Sequence, residues 1–219
     1  MDKALLSILK KNRQIAHRNP KSILKKYDEY LETHGIYHSL NSDIFAKSIK
    51  GHVELADGIL ALYNIAKLEN ERILLLEDLL TIGYDKNKLV ELILAVFNAE
   101  ESPDNLWEYG DLLYSIKNFR YMSHYLDIIK NKAFGEARQM LIILVGKSKR
   151  KSVIPVLTEL LDDPTVFGHA LDALSNFSGV EIDHIMRKYM DYNVAWVQKI
   201  AVMYFSKGRQ TGDGLREPY

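Results

Sequence analysis

Ala137-Arg138-Gln139-Met140-Leu141-Ile142-Ile143-Leu144-Val145-Gly146 reads as a buried helix that stops on a small residue. Ala137, Leu141 and Val145 fall four residues apart, so they share one helix face. The arrangement is an apolar residue, a position usually small, a large apolar residue, then Ser or Gly. It returns as Leu106-Gly110-Tyr114-Ser115, Val166-Ala170-Leu174-Ser175 and Val197-Ala201-Phe205-Ser206. Successive copies start 31, 29 and 31 residues apart. A near-constant period of about 30 residues marks stacked supersecondary units that bury their apolar faces on one another. The small residue closing each set lies where the chain turns toward the next unit, and bulk there would push units apart.

Helical periodicity runs through nearly the whole chain, without convincing strand alternation. The expected class is therefore all-α, a right-handed α-α superhelix (solenoid) of helical hairpins. Expected helices are 2–17, 20–32, a short one from Asn41 or Ser42 to Ile49, 53–67, 70–82 and 86–98. Gly35, Gly51 and Gly83 terminate three of them, and Asn19-Pro20 reads as a cap followed by a first helical residue. Beyond a joint at Glu100–Pro103 the helices pair regularly: 121–130 with 134–146, 152–161 with 165–177, and 180–190 with 194–207. The expected organisation is a less regular helical half over 1–100 that caps the array, repeats over 101–207, and a flexible tail over 208–219.

The 219 residues carry 29 Lys/Arg and 29 Asp/Glu, a formal net charge of zero. That opposes a domain-wide footprint for nucleic acid, which is not the expected partner. The charge is uneven, however. Residues 1–50 hold ten basic and five acidic side chains, and 51–115 hold four and thirteen. Residues 116–160 hold nine and three, and the remainder six and eight. An acidic middle between two basic stretches can steer a charged partner. The absence of cysteine excludes disulfides, thiolate metal sites and Cys nucleophiles. No apolar run approaches 18 uncharged residues, and the N-terminal one is short and interrupted by charge. Neither a membrane span nor a signal segment is expected, and the cytoplasm is the default compartment.

The run Phe134-Gly135-Glu136-Ala137-Arg138-Gln139-Met140 through Val145-Gly146-Lys147 resembles the second helix of a HEAT repeat. So does Leu160-Leu161-Asp162-Asp163-Pro164-Thr165-Val166-Phe167-Gly168-His169-Ala170-Leu171-Asp172-Ala173-Leu174. The HEAT pattern there is a Leu-Leu-x-Asp-x turn, then Val-Arg-x-x-Ala, then Leu-Gly. Ala137-Arg138 and Val197-Gln198-Lys199-Ile200-Ala201 fit it as well, and the likeness covers 104–207. Phe167 and Trp107 stand where Arg is usual, which breaks a continuous Arg/Asp ladder. The resemblance implies a binding scaffold whose second helices line a concave face, with neither catalysis nor a cofactor. Small bacterial proteins of this kind serve as adaptors or toxin-neutralising immunity proteins. The implied partner is another protein, a basic one given the acidic 51–115 segment.

On second helices, positions one and two past the Ala137-type anchor leave the core stripe at about 100° per residue. These are Trp107 and Glu108, Arg138 and Gln139, Phe167 and Gly168, and Gln198 and Lys199, with Asp111 and Asp172 one turn on. An exposed Trp near Arg and carboxylates suits recognition, because Trp, Tyr and Arg dominate binding hot spots. The competing expectation is that Arg138 pairs with a neighbouring Asp while Trp107 and Phe167 pack between repeats. Thirteen tyrosines, seven of them in the repeat region, suit either a binding surface or helix–helix gaps.

No metal site is expected. His34 and His38 are spaced i,i+4 with Gly35 between them, and no His is followed by Glu, unlike the di-iron HEAT-repeat hydroxylases. One enzyme alternative stands. HEAT-like DNA glycosylases acting on alkylated bases present a Trp, an Asp one turn on and an Arg from a later repeat. Trp107, Asp111 and Arg138 resemble that set, with Trp196 beyond. Neutral net charge opposes DNA affinity, which comes mainly from Lys/Arg on phosphates. The basic run Lys147-Ser148-Lys149-Arg150-Lys151 reads as a solvated loop between repeats.

Overall fold

The computed structural model describes residues 18–38, 42–99 and 106–210, with backbone alone for 42, 209 and 210. The helix expected over 2–17, the Glu100–Pro103 joint and tail residues 211–219 lie outside the described residues. Every regular element among the described residues is helical. The chain divides into two compact units, Met1–Leu112 and Leu113–Tyr219.

The first unit contains α1 (Leu24–Thr33), α2 (Ser42–Ile49), α3 (Ala56–Ile65), α4 (Glu69–Ile82), α5 (Lys86–Phe97) and the start of α6 (Leu106–Ile116). Its centre is α4, which packs against α2, α3 and α5. Ile73, Leu75, Leu76, Leu79 and Ile82 are all buried, so α4 is apolar around much of its circumference, as an enclosed helix requires. It stops at Gly83 (φ 90°), where the amides of Gly83 and Tyr84 bond back to the carbonyls of Leu80 and Leu79 at 3.2 and 3.0 Å. A side chain with a Cβ resists that left-handed conformation, so glycine ends the helix. Two residues on, Asp85 Oδ1 accepts from the amides of Asn87 and Lys88 at 2.8 and 3.1 Å and starts α5.

Two carboxylates of α4 are buried, Glu71 and Asp78, and both serve α1. Glu71 accepts from the Ser22 hydroxyl and, at 3.0 Å, from the amide of Ile23. Asp78 accepts from the Tyr27 hydroxyl at 2.7 Å. These bonds correct the expected start of α1. Asn19-Pro20 forms a turn in which Asn19 Oδ1 accepts from the amide of Lys21, and the helix begins only at Leu24. The physical reason is that Ser22 and Glu71 satisfy the donors just ahead of Leu24, one of them from outside the helix.

The second unit contains α7 (Met122–Lys130), α8 (Gln139–Lys147), α9 (Ile154–Glu159), α10 (Phe167–Leu174), α11 (Val180–Arg187) and α12 (Ala195–Gln210). Short 3-10 turns precede α7, α8 and α9. Helices α7 and α8, α9 and α10, and α11 and α12 pack as hairpins, and α8, α10 and α12 pack on one another in succession. The repeated anchors Ala137, Leu141, Val145, Val166, Ala170, Leu174, Val197 and Ala201 are all buried. Gly146, the small residue closing its set, lies against α10. A Cβ there would come within 2.6 Å of the Ala173 Cα, so the two helices meet at a separation only glycine allows. Helix α12 continues to Gln210, three residues into the stretch expected to be a tail.

Candidate functional site

Trp107, Glu108 and Asp111 lie on α6 in the first unit. Trp107 is 53% exposed, while its neighbour Tyr109 is fully buried and donates its hydroxyl to Glu69 at the start of α4. That bond ties the two helices together and brings their carboxylates into one region. Partial burial, then the nearby charge of Glu108, raise the carboxyls of both Glu77 and Asp111 above their ordinary values. Glu69 is raised by burial and by Glu108, against the opposing charge of Arg72 at 3.8 Å. Glu108 thus stands among three carboxylates, Glu69 and Glu77 from α4 and Asp111 from its own helix.

Arg138 leaves the expected surface row and meets the competing expectation, a pairing with a neighbouring Asp. It is 1% exposed, its Nη2 lies 2.9 Å from Asp163 Oδ2, and it donates to the carbonyls of Gly135 and Ile129 at 2.8 and 3.3 Å. Burial alone would raise the Asp163 carboxyl. The Thr165 amide and the Arg138 guanidinium outweigh it and hold the group below its usual value. A guanidinium so enclosed joins the turn before α8 to the turn before α10 and does not reach a partner.

Gln139 and Gln198 are engaged in the same way. Gln139 Nε2 donates to the Thr165 carbonyl at 3.1 Å, and Gln198 Nε2 to the Met190 carbonyl at 2.9 Å. Phe167 packs against Tyr192, with ring centroids 5.7 Å apart. Gly168 lies under the ring of Trp196, which also meets His169 at 5.7 Å. Burial lowers the His169 imidazole below its ordinary value, against the charges of Asp172 and Glu136. Asp172 is half-buried and Lys199 exposed.

Of the residues singled out from sequence, the structure therefore groups Trp107, Glu108 and Asp111 on one helix. It assigns Arg138, Gln139 and Gln198 to bonds within the second unit. Sequence reasoning missed Glu69 and Glu77. Their signal was the acidic excess over 51–115, which gives no helix face.

Among the described residues, no group of three His, Asp or Glu is placed to hold a metal ion. No helix among them is long and apolar enough to cross a membrane. Comparison of the chain with protein-family profiles, curated proteins and solved structures finds no match.

Proposed function

We propose that this chain is a HEAT-like α-solenoid that acts as a non-catalytic protein-binding scaffold, of the adaptor or toxin-neutralising immunity kind, and takes a basic partner on the acidic face of its first unit. The observation that carries this reading is the Tyr109–Glu69 bond, which sets Glu69 of α4 against α6 with its Glu108 and Asp111, on the helix that bears the exposed Trp107. An exposed indole supplies apolar contact area, and the carboxylates supply charge complementarity and a faster encounter. The successive packing of α8, α10 and α12 supports the repeat architecture.

The test is affinity capture from the native lysate with nuclease present, using wild type, Trp107→Ala and Glu108→Lys in parallel. One stoichiometric basic protein, retained by wild type and lost by both variants, supports the proposal. Retention by both variants sinks this face as the site.

The glycosylase alternative has Trp107 and Asp111 one turn apart on α6, but its third member, Arg138, is enclosed by Asp163. Base excision that survives in wild type and disappears in Asp111→Asn would revive it, because an oxocarbenium-like centre needs that charge.

A further inference from the structure

The second unit carries a basic edge that the sequence distributes over two loops 31 residues apart. The first loop follows α6 and holds Lys117 and Arg120. The second follows the start of α8's last turn and holds Lys147, Lys149, Arg150 and Lys151. All six are exposed. The loops touch at several points. Lys147 donates to the Tyr114 hydroxyl and stands 4.2 Å from the centre of its ring. Lys117 approaches the same ring at 5.8 Å, and Arg150 Nη2 donates to the Phe119 carbonyl at 3.4 Å. Neither 117–124 nor 147–154 contains an acidic residue. The acids of this region, Asp127, Glu136 and Glu159, lie toward the other ends of their helices. The next loop adds no cation and leads into Glu181.

Helix-end electrostatics accounts for only part of this placement. Lys117 and Lys149 both hold φ at 54°, and they are the only non-glycine residues with positive φ among the described residues. That left-handed conformation is unfavourable for any side chain with a Cβ and is ordinarily given to Gly or Asn. A cation at a helix C-terminus is favourable, which suits Lys147 and the charges of Lys117 and Lys149 just beyond α6 and α8, though not their backbone conformation. Arg120 and Lys151 instead stand in the 3-10 turns that open the next helices, where the helix dipole opposes positive charge. The left-handed Lys117 and Lys149 and the dipole-opposed Arg120 and Lys151 all lie on this one edge. Aromatic side chains accompany them: Tyr121 and His124 stand with ring centroids 6.0 Å apart at the start of α7.

We propose that this edge binds single-stranded nucleic acid, with the phosphates against the six cations and bases stacking on Tyr121 and His124. Phosphate neutralisation supplies affinity without sequence preference, and aromatic stacking favours an unpaired strand over a duplex. Zero net charge over the whole chain does not weaken such a site, because screening confines these interactions to about 8–10 Å.

The test is fluorescence anisotropy of a labelled mixed-sequence single-stranded oligonucleotide titrated with the full chain. Affinity is expected to fall roughly a hundredfold between about 50 and 200 mM salt, from about five neutralised phosphates. Lys149→Glu/Arg150→Glu is expected to bind more than tenfold more weakly. Lys117→Gly/Lys149→Gly separates binding from folding: it is expected to lose affinity while keeping or raising the melting temperature. No binding by wild type at low salt overturns the proposal, as does charge reversal without effect. Duplex binding equal to single-strand binding overturns the single-strand assignment. Capture by phosphatidylserine vesicles with none by the oligonucleotide overturns it in favour of a membrane surface.

Discussion

Tyr27 donates its hydroxyl to the Asp78 carboxylate across 2.7 Å, in the buried contact between α1 and α4. Burial raises the Asp78 carboxyl to about 7, against the Tyr27 hydrogen bond, which lowers it, and with a further rise from the charge of Glu77. The folded state therefore keeps a proton that the unfolded chain releases near pH 4. The contribution of Asp78 to stability is fully present below that value and is lost as pH rises from about 4 to about 7, by something on the order of 4 kcal/mol. Urea titrations across this range are expected to show the loss in wild type and not in Asp78→Asn. A wild-type profile flat from about pH 4 to 8 would remove Asp78 as its source.

The Arg138–Asp163 pair has the opposite sign. Its attraction holds Asp163 below the ordinary carboxylate value, so its contribution is present above about pH 4 and is lost as pH falls through the folded-state value. Replacing Arg138 by Met leaves a buried carboxylate without its cation and is expected to cost about 3 kcal/mol near neutral pH. The cost is expected to shrink in acid. Chemical denaturation of both proteins at the two pH values checks this. An equal cost at both would assign the loss to packing alone.

Two glycines in the second unit are expected to respond differently. At Gly146 an added Cβ meets the Ala173 backbone, whose Cα and carbonyl oxygen lie 2.6 and 2.7 Å away. Gly146→Ala should cost about 1–3 kcal/mol, and adding Ala173→Gly should not rescue it, since the backbone clash remains. At Gly168 the obstacle is the ring of Trp196, itself 49% exposed. Gly168→Ala should cost under about 1 kcal/mol, because that ring can swing into solvent. Melting temperatures of the three variants decide the matter.

These contrasts show what the sequence could and could not convey. Gly83 followed by the Asp85 cap, and the buried anchors of α8, α10 and α12, follow rules that act within a few residues or at a fixed spacing. Their positions can be read from the chain. The start of α1 could not be, because Glu71 satisfies it from a helix nearly fifty residues away. Its place one residue past the Ala137 anchor leaves Arg138 open to either a surface role or a pairing with a neighbouring Asp. Only the turn bearing Asp163 encloses it, and nothing local to Arg138 shows which of several nearby acids it will meet. The acidic excess over 51–115 was a count. The Tyr109–Glu69 bond is what brings particular carboxylates from α4 and α6 together.

Trp107 separates a recognition role from a packing role. If it filled a gap between helices, Trp107→Ala would cost about 3–5 kcal/mol of stability. At 53% exposure the expected cost is under about 1 kcal/mol. A hot-spot tryptophan at the centre of an interface contributes about 2 kcal/mol or more, so affinity for the proposed basic partner should fall roughly thirtyfold or more. Glu108→Gln should act differently. It removes the charge shared with Glu69, Glu77 and Asp111, so it should slow association and flatten its salt dependence while changing dissociation little. Stopped-flow association at two ionic strengths, beside thermal melts of both variants, distinguishes the roles. Unchanged binding with a large stability loss in Trp107→Ala would return that residue to packing.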